Sequence, residues 1–327
     1  ASARGPSGGI MENETPRVRC IPLGVAGGLI ESNLPAYLLA PIGSTDFVCL
    51  DAGTLLAGLR VARTRGCFSD IAMPPGSADS IEGRVLRHHL KAYLLTHTYL
   101  DHVSGLIMSS PADSAKPIMA LEETIEGLQH HVFNWITWPN FGDEGAPAPL
   151  AKYQLVALRP GERSTIPGTA MFVEAQPLAH GARTDSTAFL VDANGHYVVY
   201  MGDTGPDHLE DRPTTLHLWK RLIPLIRDDR LRAICIESSY TDETPEDQLL
   251  SHLTPKWIMR AFRQLAGLVA PQRPETALTG LAVVITHIKP HLDAGEETRN
   301  AVTRQLREQN DLGLHLVFAE QGEPFDL

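Results

Sequence analysis

The sequence predicts an α/β fold in which two mixed sheets carry helices on their outer faces. Short apolar runs of β type recur from Val18 to the C-terminus, stretches with helical periodicity separate them, and the order β-rich, helix, β-rich, helix gives the chain a twofold character. Two sheets in that order bury one face against each other and take helices on the other.

The runs VRCIPLG, AYLLAP and DFVCLDAG open the chain as a meander, each bounded by Gly, Pro or Asn. Residues 55–65 have helical spacing and gather basic residues toward their end, as a helix C-terminus prefers. The loop MPPGSADS precedes a second helical stretch at 81–89, and the strand LKAYLLT then runs into the polar cluster HTYLDH. A helix is expected over 120–135 and a Pro/Gly-rich loop over 138–150. Strands are expected at 153–158, 170–175, 187–191 and 197–201. The rest reads as a helix at 216–226, a strand at 231–236, a long helix at 245–270, a buried strand at 281–285, an amphipathic helix at 296–309 and a strand at 314–318. Residues 11–327 read as one domain, and the small, Gly-rich residues 1–10 ahead of Met11 as a disordered or artificial leader.

Composition removes several classes of function. Lys and Arg number 28 against 39 Asp and Glu, so the net charge of 28 − 39 = −11 works against a nucleic-acid polymer, which needs a basic surface. A small anionic substrate stays open, because metal ions can supply positive charge locally. No apolar run approaches the roughly 18 to 20 residues of a membrane span. The four cysteines, Cys20, Cys49, Cys67 and Cys235, form no CxxC pair. A reduced, cytoplasmic setting is the expectation, with a periplasmic or secreted mature form as the alternative.

Chemistry concentrates where strands end. His97, Asp101 and His102 lie within six residues directly after an apolar strand, a placement that reads as a loop at the sheet edge and not a helix. His180 in LAHGART, Asp203 in YMGDTGPD and His287 in VITHIKP each follow a β-type run beside Gly or Pro. Imidazole and carboxylate are zinc-type donors. Any one of these residues alone is more often a hydrogen-bonded loop residue, but four strand ends carrying them point to one metal centre. Asp51 in CLDAGT either orients a ligand histidine from behind or serves as a turn residue before a helix. His88, His89, His130, His131, His196, His208, His217 and His315 lack such a context and read as surface or helix residues.

HTYLDH resembles the HxHxDH signature of the metallo-β-lactamase superfamily, and the later His, Asp and His follow in that superfamily's order. The segments SNLPAYLL, LDAGT, THTYLDHVSGL, MGDTGPD, IESSY, SHLTP and ITHIKP resemble class II cyclic-nucleotide phosphodiesterases over nearly the whole chain from Val18 onward. The resemblance implies a metallo-β-lactamase-like αββα sandwich and two zinc ions: His97 and His180 on one, Asp101, His102 and His287 on the other, Asp203 between them. It implies hydrolysis of 3′,5′-cyclic AMP or GMP to the nucleoside 5′-monophosphate by a metal-bound hydroxide, which Asp101 would also orient. A pair of ions about 3.5 to 4 Å apart suits that displacement.

Tyr99 departs from the signature, standing where it has its second histidine. A phenol with an ordinary pKa of about 10 is a poor ligand. The departure leaves His97, His180 and Asp203 as a weaker site, or a single tightly held ion, or a divalent metal other than zinc. Glu237 in IESSY and His252 in SHLTP resemble the Glu and His pair of the superfamily's tRNA 3′-end processing nucleases. The implied roles are contact of His252 with the scissile phosphate and its departing oxygen, with Glu237 orienting the ring. The plainer alternative has His252 capping a helix that begins near Thr254. Two other functions remain open: cleavage of another phosphodiester such as a tRNA 3′ end, which the acidic charge disfavours, and nucleotide binding without catalysis because of Tyr99. The sequence carries no signature for purine preference, whose pocket is sought around 140–149. Nor does it carry one for oligomeric state, a homodimer included.

Overall fold

The computed structural model describes residues 17–182, 184–293 and 295–327. The leader expected at residues 1–10 lies outside the described residues.

Fourteen strands are described: β1 (Val18–Gly24), β2 (Ala36–Pro41), β3 (Phe47–Leu50), β4 (Leu90–Leu94), β5 (Lys116–Leu121), β6 (Tyr153–Leu158), β7 (Arg163–Thr165), β8 (Met171–Ala179), β9 (Asp185–Ala193), β10 (His196–Met201), β11 (Leu231–Glu237), β12 (Ala282–Thr286), β13 (His315–Phe318) and β14 (Phe325–Asp326). They form two seven-stranded sheets, ordered β14-β1-β2-β3-β4-β5-β6 and β13-β12-β11-β10-β9-β8-β7. Each sheet is antiparallel in one half and parallel in the other. Pairing is antiparallel from β14 to β3 and from β7 to β10, and parallel from β3 to β6 and from β10 to β13. The twofold order of the sequence is this repeated plan.

Among the described residues eight α-helices accompany them: α1 (Leu56–Thr64), α2 (Ile81–Arg84), α3 (Leu100–Ser109), α4 (Glu122–Gly127), α5 (Asp207–Glu210), α6 (Thr214–Arg227), α7 (Pro255–Val269) and α8 (Thr298–Gln309). The period of two in the strands sorts residues between faces. Cys20, Tyr37 and Leu39 pack in the layer between the sheets with Phe189, Val191 and Val198, while Ile21 and Leu38 pack outward with Leu59 of α1 and Val103 and Leu106 of α3. On the second sheet, Leu190, Val199 and Ile234 pack outward with Trp219 of α6, Phe262 of α7 and Val302 of α8. Four layers result: helices, sheet, sheet, helices.

Three expectations need correction. Asp101 and His102 are not on a loop, because Tyr99 ends the extended segment and α3 begins at Leu100. The polarity of HTYLDH hid that start, although an acidic residue in a first turn suits the helix dipole. The helix expected over 120–135 is shorter at both ends: Ala120 and Leu121 close the buried strand β5, and α4 with one wider turn runs from Glu122 to Val132. The apolar part of KPIMAL, residues 117–121, is too short and unbroken for periodicity to separate strand from helix. The helix expected over 245–270 begins only at Pro255, which fits the first helical turn where its missing N–H costs nothing. The residues ahead of it form a short 3₁₀ turn and an irregular segment that carries His252.

Candidate metal centre

Strand ends of the two sheets, most of them from the parallel halves, meet at one place, the usual location of a site in α/β sheets. Asp51 follows β3, His97 follows β4, His180 follows β8, Asp203 follows β10, Glu237 ends β11 and His287 follows β12. Asp51 and His287 both hold left-handed backbone, with φ of 53° and 54°. For a non-glycine residue that conformation is uncommon and tends to gather at functional sites. The two sheets are tied at this end: His287 N–H donates to Val25 O at 2.9 Å, and Ala26 bridges to Ile288.

Gly53 lets α3 approach closely. A Cβ there would stand 1.9 Å from the carbonyl oxygen of Asp101. The contact is completed by Ala52 N–H to His102 O at 2.8 Å and Leu106 N–H to Ala52 O at 3.0 Å, which fix the first turn of α3 against the loop after β3.

Five imidazoles surround one carboxylate oxygen. Asp203 Oδ2 lies 3.2 Å from His102 Nε2, 3.3 Å from His287 Nε2, 3.9 Å from His97 Nε2, 4.0 Å from His180 Nε2 and 3.9 Å from His252 Nδ1. Asp101 adds a second carboxylate, 3.3 Å from His287 Nε2. Among the described residues three groups of donors form, each with its atoms within 4.8 Å of one another: Asp101, His102, Asp203 and His287; His97, His180 and Asp203; and Glu237, His252 and His287. The first two groups hold the six ligand candidates singled out in the sequence, and the third joins one of them to the Glu237 and His252 pair.

The groups behind the rings decide which nitrogen faces inward. His102 Nδ1 donates to Asp51 Oδ2 at 2.8 Å, and His180 Nδ1 to the carbonyl of Ser251 at 3.0 Å. Thr96 Oγ1 gives its one proton to Asp51, so it accepts from His97 Nδ1 at 2.9 Å. Ser239 Oγ gives its proton to Glu237 and accepts from His287 Nδ1 at 3.0 Å. All four rings therefore carry a proton on Nδ1 and present Nε2 toward Asp203, the arrangement of metal-ligating histidines. His97 Nε2 is buried without a hydrogen-bond partner. Such an orphan is costly unless something else fills its place.

Burial opposes charge on each of these groups, and their neighbours decide the outcome. His287 and His102 outweigh burial and hold the Asp203 carboxyl well below its usual range. Asp101 is held low likewise, against burial, by its hydrogen bond to His287 and by His102. His102 is raised well above an ordinary histidine, Asp203 and Asp51 overcoming its burial, whereas burial and the charge of His102 push His97 well down.

Glu237 and His252 form the second pair. Glu237 Oε1 accepts from His252 Nδ1 at 2.8 Å and from Thr204 N–H at 3.0 Å. His252 does not cap α7: Thr254 holds the cap position, and the His252 ring turns instead toward His287, 5.5 Å away. Burial lowers His252, but Glu237 outweighs it and raises the group, against the opposing charge of Lys289.

Tyr99 stands apart. It is 45% exposed, its ring lies edge-on to His97 at 4.8 Å, and its hydroxyl donates to Thr184 Oγ1 at 3.4 Å. Two clefts flank the centre. One, of about 340 Å³, runs from His97 along Glu123, Glu126, His130 and His131. The other, of about 390 Å³, runs from Lys289 along Tyr240, His291 and Glu296. Neither draws a residue from 140–149, where Asn140 is instead buried, donating to the carbonyls of Glu144 and Ala146. His130 and His131, read from the sequence as surface or helix residues, are exposed on the helical turn after α4 and line the first cleft, whereas Lys289 was not singled out in the sequence. The signal for Lys289 was its place two residues beyond His287.

Comparison with known proteins identifies the family and the fold. A family model described as class-II cAMP phosphodiesterases matches residues 17–322. A 3′,5′-cyclic-nucleotide phosphodiesterase of Aliivibrio fischeri is 39% identical over 303 residues, covering 93% of this chain and 91% of that protein. The crystal structure of unliganded yeast PDE1 superposes with a TM-score of 0.83 at 23% identity, covering 96% of this chain and all of that one. The metallo-β-lactamase fold protein YhfI of Bacillus subtilis does so with a TM-score of 0.59 at 14% identity, covering 95% and 100%. A divalent-metal centre follows from that fold and family. The chain belongs to the class-II cAMP phosphodiesterases and is built on the metallo-β-lactamase fold.

Proposed function

We propose that the strand-end cluster holds two divalent ions, zinc by its donor set, and hydrolyses 3′,5′-cyclic nucleotides, cyclic AMP and cyclic GMP, to nucleoside 5′-monophosphates. The observation that carries this is the convergence of four Nε2 atoms on Asp203, each ring tied from behind through Nδ1. Nitrogen and carboxylate donors in groups of four and three suit zinc. Asp101, His102 and His287 would hold one ion and His97 and His180 the other, with Asp203 shared. Ions bound there polarise a phosphoryl oxygen and activate water as the nucleophile.

The chain's own residues supply the rest. Asp101 is the least buried of the carboxylates, its side chain 21% exposed, so it faces arriving water and can orient it. His252, aligned by Glu237, stands on the side where the 3′ oxygen departs. Overall, water's oxygen bonds to phosphorus, the P–O3′ bond breaks with its electron pair on O3′, and one of water's protons ends on that oxygen. Tyr99 closes one edge of the His97 half-site without joining it. The four cysteines are buried and free, which supports a reducing compartment such as the cytoplasm. Among the described residues no helix is long and apolar enough to cross a membrane.

The test is release of 5′-AMP from cyclic AMP. Chelation should abolish it and added zinc restore it. Protein shown to hold two ions yet inert toward both cyclic AMP and cyclic GMP would defeat the reading.

A further inference from the structure

Lys289 is the cation that the hydrogen-bond network of the site reaches. Its Nζ lies 2.9 Å from His252 Nε2 and 5.7 Å from the centroid of the Tyr240 ring. It also lines the 390 Å³ cleft, so it joins the metal centre to open space.

The path of its side chain is built. Lys289 N–H donates to Ser239 O at 3.2 Å, and Gly27 N–H to Ile288 O at 3.1 Å, which draws the loop after β1 against this segment. A Cβ on Gly27 would stand 2.8 Å from Lys289 Cγ and 2.6 Å from His287 Cε1. The lysine stem thus runs through a gap that only glycine leaves open, and the same gap seats His287.

Donors and acceptors show which group of the Glu237, His252 and Lys289 chain can still donate. Glu237 takes the proton on His252 Nδ1, so Nε2 is the nitrogen turned toward Lys289. A 2.9 Å contact between two nitrogens has room for one proton, and an ammonium is a donor with nothing to accept. Lysine has three N–H groups, of which His252 uses one. Lys289 therefore has donors to offer on this side of the centre beyond the one that His252 takes.

We propose that Lys289 is a catalytic residue that contacts the departing 3′ oxygen of the cyclic phosphodiester, with His252 and Glu237 as its positioning residues. Attack by water at phosphorus pushes the electron pair of the P–O3′ bond onto that oxygen. A cation already fixed on that side meets the charge where it develops, without reorganising. Lysine serves here as a compact point charge with rotatable donors. The assignment rests on the cyclic-nucleotide reading and names the group that serves its leaving oxygen.

The experiment compares the zinc-loaded wild type with Lys289→Met and Lys289→Arg on two diesters. Cyclic AMP expels a basic alkoxide, and bis(4-nitrophenyl) phosphate expels a phenolate that leaves without help. Lys289→Met should keep its metal content, lose on the order of a hundredfold in kcat on cyclic AMP, and stay within about threefold of wild type on the nitrophenyl diester; Lys289→Arg should recover part of the loss. Equal losses on both diesters would overturn the assignment, since the lysine would then serve phosphate binding alone. Unchanged turnover of cyclic AMP would overturn it too, and so would loss of metal, which would give Lys289 only a structural part in seating His287. Wild-type protein that is inert toward cyclic AMP defeats the functional reading itself, and the assignment with it.

Discussion

Asp51→Asn tests whether the groups behind the ligands set the chemistry of the centre. Asp51 is fully buried and accepts from His102 Nδ1 at 2.8 Å, Thr96 N–H at 2.8 Å, Thr96 Oγ1 at 3.0 Å and Tyr200 OH at 3.0 Å. Asparagine has nearly the same shape and tolerates the left-handed backbone found there, so the substitution isolates the loss of one acceptor. With the amide oxygen toward Thr96, the NH₂ faces His102 Nδ1, and the imidazole must move its proton to Nε2, the nitrogen that a metal needs. With the amide reversed, the NH₂ faces the buried Thr96 N–H, and an unpaired donor costs about 1–3 kcal/mol. Either orientation weakens the site. Loss of such a partner lowers metal affinity roughly 10- to 100-fold, or about 1.4–2.7 kcal/mol. Titration against a competing chelator measures the affinity, and circular dichroism confirms that the variant is folded. A folded Asp51→Asn protein that binds zinc within threefold of wild type would refute the reasoning.

Tyr99 supplies a second test: Tyr99→Phe should leave the zinc affinities of both sites unchanged, because the hydroxyl points to Thr184, while Tyr99→His should tighten the weaker of the two. A Phe variant that loses an ion would make the phenol a ligand after all, and calorimetric titration reads both variants. The pH dependence of the metal-free protein follows from the groups around Asp203. His102 is raised, so its contribution to stability is present below about pH 6.5 and is lost as pH rises through its folded-state value, whereas Asp101 and Asp203 are depressed, so theirs is present above about pH 4 and lost as pH falls. Thermal unfolding of metal-free protein should therefore show stability falling on the alkaline side, and zinc binding near pH 7 should release a proton that calorimetry in buffers of different ionisation enthalpy detects. Zinc binding without proton release would show that His102 is already neutral.

The plan of the fold was legible because its strands are short, apolar and punctuated by turn residues, so each announced itself and its end. The ends mattered most: Asp51, His97, His180, Asp203 and His287 all stand just past a β-type run. What stayed hidden was local. α3 begins inside a polar motif, and β5 is an apolar run that either period would accept. The hydroxyls of Thr96 and Ser239 fix ring orientation, yet they belong to no pattern of spacing and are recognisable only beside His97 and Glu237. The carbonyl of Ser251 leaves no trace in the sequence at all, since a backbone acceptor is the same in every residue. His252 could be paired with Glu237 only through resemblance, as the contact joins the end of β11 to an irregular segment before α7.

The centre also explains how an acidic protein can serve an anionic substrate. The first sheet and its helix α3 bring Asp51, His97, Asp101 and His102, and the second brings His180, Asp203, Glu237 and His287, so ions bound between them would hold both halves to common ligands. Close behind the ligands lie two carboxylates, Asp51 and Glu237, each saturated by donors. Their charge is spent within the protein on orienting rings. Lys289 and the divalent ions that the centre would hold are then the cationic groups that an incoming phosphodiester would meet, between two clefts that both carry carboxylates, Glu123 and Glu126 in one and Glu243 and Glu296 in the other.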